Sequence, residues 1–170
     1  MTLTTISIII ATVIYVAYNA ISLAYFNVPA SLSMTYYQWQ AKARLGYLFP
    51  CMMYMVVSCM MPAWISMSEG SSYQFLAFLA PASIAFVATA PAFLSSELEN
   101  KVHSVSAIVA AICSLAWICL VTPYWWIILI VFGFVALASV VTSTYRTCYV
   151  YWLETVAFAA TFCSTLIYSM

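Results

Sequence analysis

The chain has 170 residues, of which 67% are hydrophobic and 5% charged, with a formal net charge of zero and a mean hydropathy of +1.07. A soluble domain carries about a quarter charged residues, so this chain has too little polar surface to coat a globule and reads as a membrane protein. Four Lys or Arg balance four Glu, there is no Asp, and His103 is the only histidine. That census excludes aspartyl dyads, Walker-type nucleotide sites, Ser-His-Asp triads and HExxH zinc sites. Isolated basic residues on a neutral chain also argue against a nucleic-acid partner.

A helix needs about 20 apolar residues to cross a hydrocarbon core of ~30 Å. Six stretches meet that length: residues 3–26, 45–65, 75–95, 103–121, 124–143 and 149–169. Runs such as 6–11 and 127–132 do not alternate apolar with polar residues, which removes a β-barrel. The predicted fold is all-α, a single polytopic membrane bundle of six transmembrane helices over residues 1–170.

Along the first span Thr12, Tyr15, Asn19 and Ser22 recur at helical spacing and form one polar face. Residues 27–44 make the longest loop, whose Tyr36, Tyr37 and Trp39 are expected to lie at the headgroup level. On the second span Tyr47, Cys51, Tyr54 and Ser58 form another polar face, expected to point into the bundle. Pro50, Pro62, Pro81 and Pro91 all fall in spans two and three, so a cavity or a hinge is expected there. A short polar loop holding Glu69 and Gly70 separates these spans.

Ser96 and Glu99 have capping-box spacing and start the fourth helix about six residues before its apolar run. Ser104, Ala107, Ala111 and Ser114 follow as a small-residue seam suited to close packing. Glu99 and His103 share a helical face, where a carboxylate can orient an imidazole; alternatively Glu99 completes the cap and Glu97 pairs with Lys101. Thr122-Pro123-Tyr124 turns the chain into the fifth span.

Glu154 lies about 7 Å into the sixth span, and Thr161, Thr165 and Tyr168 continue its polar face. An ionisable group at that depth is a candidate functional residue. The alternative is a structural ion pair with Arg146, Arg44 or Lys101. The six cysteines form no CxxC and read as free thiols.

Lys42, Arg44, Lys101 and Arg146 occupy alternate loops and therefore share one side. The positive-inside rule makes that side cytoplasmic, with both termini outside a cytoplasmic (inner) membrane. Tyr124, Trp125, Trp126, Trp64 and Tyr168 then form the outer aromatic belt, and Tyr145, Tyr149, Tyr151 and Trp152 the inner one. The first 41 residues hold no Lys or Arg, which argues against a cleaved leader. Glu97, Glu99, His103 and Glu154 join the four basic residues in a polar cluster at the cytoplasmic mouth.

The stretches 27–33, 45–49, 62–64 and 102–104 resemble segments of small six-span membrane proteins of bacteria and their phages. That resemblance implies the six-span fold and no particular activity. From the residues, the first expectation is a non-enzymatic bundle that binds or passes a small molecule or lipid through a cleft between spans one, two and six. Glu154 supplies its charge, and Asn19, Tyr15, Tyr54, Ser58 and Thr161 its polar contacts. The second is an accessory or scaffold protein whose small-residue seam docks another membrane protein. The third is an intramembrane enzyme using Glu99, His103 and Glu154, for which no nucleophile stands out. No cofactor and no metal is expected.

Overall fold

A computed structural model describes residues 2–170, which form seven α-helices, one 3-10 turn and no strand. Helix α1 (Leu3–Phe26) starts where Thr2 Oγ1 accepts the Thr5 N–H, and stops at Asn27, whose φ of 60° leaves the helical region. The 3-10 turn (Leu32–Met34) runs into the short α2 (Thr35–Ala43). Then come α3 (Leu48–Met67), α4 (Leu76–Thr89), α5 (Glu97–Val121), α6 (Trp126–Val141) and α7 (Tyr149–Ser169).

Helices α1, α3, α5 and α7 are long and apolar enough to cross a membrane. Helices α4 and α6 are apolar but have 14 and 16 residues, or about 21 and 24 Å at 1.5 Å per residue.

The end of the third apolar stretch and the first loop both differ from expectation, and each has a local cause. The third apolar stretch was expected to remain helical to residue 95, but α4 ends at Thr89. Pro91 has no N–H to continue the ladder, and the Ala90 carbonyl is taken by His103 Nδ1 at 2.9 Å. The first loop is not an irregular aromatic segment but contains α2, whose Trp39 is buried and hydrogen-bonds Ser22 Oγ at 3.0 Å. Helix α2 ends on Arg44 in the left-handed region, and the Leu45 N–H turns back to the Trp39 carbonyl. Gly46 follows at a close approach, where a Cβ would lie 3.0 Å from Tyr36 Cε2 and 3.1 Å from Gln40 Cβ.

Helix α1 packs on α3, α3 on α4, α4 on α5, α5 on α7 and α7 back on α1, which closes a ring of five helices. Helix α6 lies outside the ring against α7. At one end Thr5 Oγ1 donates to the Ser169 carbonyl at 3.1 Å. At the other the Leu94 N–H reaches Tyr37 Oη at 2.7 Å, and the Tyr151 N–H reaches the Ala30 carbonyl at 3.2 Å. Ile8, Phe49, Val56, Trp117 and Ile118 are fully buried in the core.

The outward faces stay apolar, as Leu129, Phe134 and Leu137 on α6 show. This is the surface that lipid accepts and water does not.

Candidate functional site

A half-open cavity of about 80 Å³ lies between α3, α4, α5 and α7. Its lining is almost wholly apolar: Met53, Val56 and Met60 from α3, Pro81, Ile84 and Val87 from α4, and Phe158 and Phe162 from α7. Ala107, Ala110 and Ala111 supply the α5 wall, and their short side chains leave the space open. Four side chains on this wall carry polar atoms: Glu154, Thr161, Ser114 and Trp64. Glu154 is the only charged residue among them.

Glu154 is partly buried, and its Oε2 accepts the Leu32 N–H at 2.6 Å. That bond ties the first loop to α7, together with the Tyr151 N–H on the Ala30 carbonyl and Cys148 Sγ on the Val28 carbonyl. No basic side chain pairs with it. Among the described residues the one ion pair is Lys101 Nζ to Glu97 Oε1 at 2.6 Å, and both partners are exposed. Lys42 sits over the Tyr25 ring at 4.2 Å and Arg146 beside the Tyr145 ring at 5.3 Å. The structural ion pair considered for Glu154 is therefore absent among the described residues.

Seven residues further along α7, about 10 Å by helix rise, Thr161 is buried with its Oγ1 unpartnered. Trp64 is 3% exposed and its Nε1 also has no partner. It stacks on Trp117 with ring centroids 5.0 Å apart and planes 7° apart. Trp117 is satisfied, because its Nε1 donates to Ser68 Oγ at 2.7 Å. Ser114 turns its hydroxyl to the Ala110 carbonyl of its own helix. The cavity thus has a carboxyl toward the start of α7 and two unpaired polar atoms toward its end.

The expected site residues divide clearly. Glu154 and Thr161 line the cavity. Tyr15 is buried behind it, stacked on Phe158 at 4.6 Å and tilted on Phe162 at 5.3 Å, so α1 backs the cavity without lining it. Asn19 is a clasp between helices: its Nδ2 donates to the Tyr15 carbonyl and its Oδ1 accepts from Tyr151 Oη.

Tyr54 and Ser58 do not point inward; they are exposed, as are Tyr47 and Cys51. Helix α3 instead buries Phe49, Met52, Met53, Val56 and Met60. Lipid tails are as apolar as a core, so packing volume rather than polarity selected the inner face.

The cluster at the expected cytoplasmic mouth is not one site. Lys42, Arg44, Glu97, Lys101 and Arg146 are exposed. Glu99 accepts from Ser95 Oγ at 3.1 Å, and its N–H is capped by Ser96 Oγ at 3.2 Å. His103 is buried, stacked on Phe93 with centroids 4.5 Å apart, and neither it nor Glu99 lines the cavity with Glu154. Two expected belt residues, Trp64 and Tyr151, are core instead, each 3% exposed. The small-residue seam also behaves differently, since Ala107, Ala111 and Ser114 face the cavity.

All six cysteines are free. Among the described residues no three His, Cys or Glu side chains converge on a metal-sized site. The residue missed at the site is Trp64, which its sequence position assigns to the outer aromatic belt and the fold instead buries inside α3. Comparison with protein families, curated proteins and solved structures gives no match to this chain.

Proposed function

We propose that this is an integral membrane protein of six transmembrane segments that binds, or passes, a small molecule or lipid without catalysis. The site is the cavity between α3, α4, α5 and α7, rather than a cleft along α1. One observation carries this reading: Glu154 faces a mostly apolar cavity whose wall holds no cation, while two buried polar atoms on that wall lack partners. Buried polar atoms are nearly always satisfied, so two unpaired ones on the wall of a cavity that also holds a carboxyl favour a binding role for it.

The six-segment count is supported by Leu94 meeting Tyr37, which sets the end of α4 beside α2. The same contact, with Tyr151 on Ala30 and Cys148 on Val28, gathers the segments bearing Lys42, Arg44, Lys101 and Arg146 at one end. By the positive-inside rule that end is cytoplasmic, and both chain ends lie outside.

Native mass spectrometry from mild detergent tests the reading, comparing wild type with Glu154→Gln. Gln retains an acceptor for the Leu32 N–H and removes the acid. A discrete small mass on wild type, lost in the variant, is the expected result. Bare protein in both samples rejects the cavity as a binding site. A second protein retained by both shifts the assignment to a scaffold, for which the outlying α6 with exposed Leu129, Phe134 and Leu137 is the natural docking face.

A further inference from the structure

We infer that the occupant of this cavity is a small hydrophobic amine, bound as a monocation with its charge on Glu154 and its apolar body along Phe158 and Phe162. The inference rests on the binding reading above and adds the chemistry of the ligand.

The sign of charge comes first. Glu154 is the one charged lining residue, and no Lys, Arg or His among the described residues pairs with it. A single backbone N–H, from Leu32 at 2.6 Å, leaves a carboxylate with further acceptor sites open. An isolated carboxylate in apolar surroundings is costly, and an opposite charge that fills those sites offsets the cost. The protein keeps its own cations elsewhere, so the ligand supplies the countercharge. An anion meets only repulsion here, because no basic side chain lines the wall.

The shape of the body follows from the rest of the wall. Phe158 and Phe162 present aromatic rings within a turn or two of Glu154 on the same helix. Such faces attract an ammonium and also accept its apolar substituents. Met53 and Met60 add adaptable, polarizable side chains opposite. At the far end the free Thr161 Oγ1 and Trp64 Nε1 offer a hydroxyl and an N–H to a terminal acceptor. An amine-bearing phospholipid headgroup fits less well than a free amine, since its phosphate finds no cationic partner on the wall.

Equilibrium binding of propylamine and of the shape-matched neutral 1-propanol, both small enough for a cavity of about 80 Å³, distinguishes the possibilities, measured near neutral pH against a detergent blank. Wild type, Glu154→Gln and the cavity-filling Ala111→Phe are compared, each checked for monodisperse elution, with Ser114→Leu as a second filling variant. Wild type is expected to bind the amine roughly tenfold or more tighter than the alcohol. Glu154→Gln should bind both alike, and the filling variants neither. Equal affinity for amine and alcohol in wild type, abolished by Ala111→Phe, overturns the cation assignment while leaving the cavity a binding site. Binding of neither probe by wild type, or binding that both filling variants leave unchanged, overturns the cavity reading and the amine with it.

Discussion

Glu154 does two jobs with one side chain: it presents a carboxyl to the cavity and holds the Leu32 N–H at 2.6 Å. Substitutions separate them. Glu154→Gln keeps an acceptor and is expected to unfold within about 1 kcal/mol of wild type, whereas Glu154→Leu orphans the amide and costs about 1–3 kcal/mol. Denaturant titration of the detergent-solubilised variants reads the difference, and faster hydrogen exchange at Leu32 in the Leu variant alone locates it. His103 gives the opposite pattern, because it braces the chain between α4 and α5 through the Ala90 carbonyl and the Phe93 ring. His103→Phe preserves the stack and should lose about 1 kcal/mol. His103→Ala should lose more, and neither variant should change amine affinity; a lost affinity in His103→Phe would bring this residue into the site. At this scale the sequence is legible for isolated ionisable groups: Glu154 stands out by depth alone, and Asn19 by its inward face. Tyr54 and Ser58 were not legible, because a polar stripe in lipid has no hydrophobic force to turn it inward.

Helix starts and stops are written mostly in short-range chemistry, and these were the readable part of the elements. Ser96 caps α5 as its spacing to Glu99 indicates, although Glu99 answers with its side chain to Ser95 rather than back to Ser96. Helix α2 has no local signature, because nine residues of weak apolar pattern look like a loop, and its stability comes from tertiary anchors. Those anchors are Trp39 on Ser22 at 3.0 Å and Tyr18 on Thr35 at 2.6 Å. Trp39→Phe retains the edge contacts with Tyr25 and Phe26 and is expected to cost about 1 kcal/mol for the lost hydrogen bond. Trp39→Ala should release α2, seen as accelerated amide exchange over residues 35–43; unchanged protection there would mean that Tyr18 and Thr35 suffice. The prolines of spans two and three were the one sign of the cavity in the sequence, and Pro81 lines it; the α5 alanines read instead as a close-packing seam, because whether small residues pack or border a void depends on which side chains face them.

Across the whole molecule, ring closure makes topology testable. If α4 and α6 cross the bilayer with the four longer helices, cysteines placed at Arg44, Lys101 and Arg146 react with an impermeant maleimide from the same side of a vesicle, and one at Ser71 from the other. Crossing by the four longer helices alone would put positions 44 and 101 on opposite sides, because α4 would then return the chain to the face it left. The alternate-loop bias of the basic residues predicts the first of these outcomes, while the closure of α7 on α1 left no local trace in the sequence.

That closure has a consequence for biosynthesis. The partner of Asn19 Oδ1 is Tyr151, 132 residues later in the chain. At translation rates of about 5–20 residues per second, that distance corresponds to about 7–26 s. For that interval the first helix sits in the bilayer with a carboxamide oxygen unmatched, in a form that membrane quality control can recognise. Chains stalled before α7 should therefore be short-lived, and Asn19→Leu should extend their lifetime in a pulse-chase comparison while weakening the completed ring.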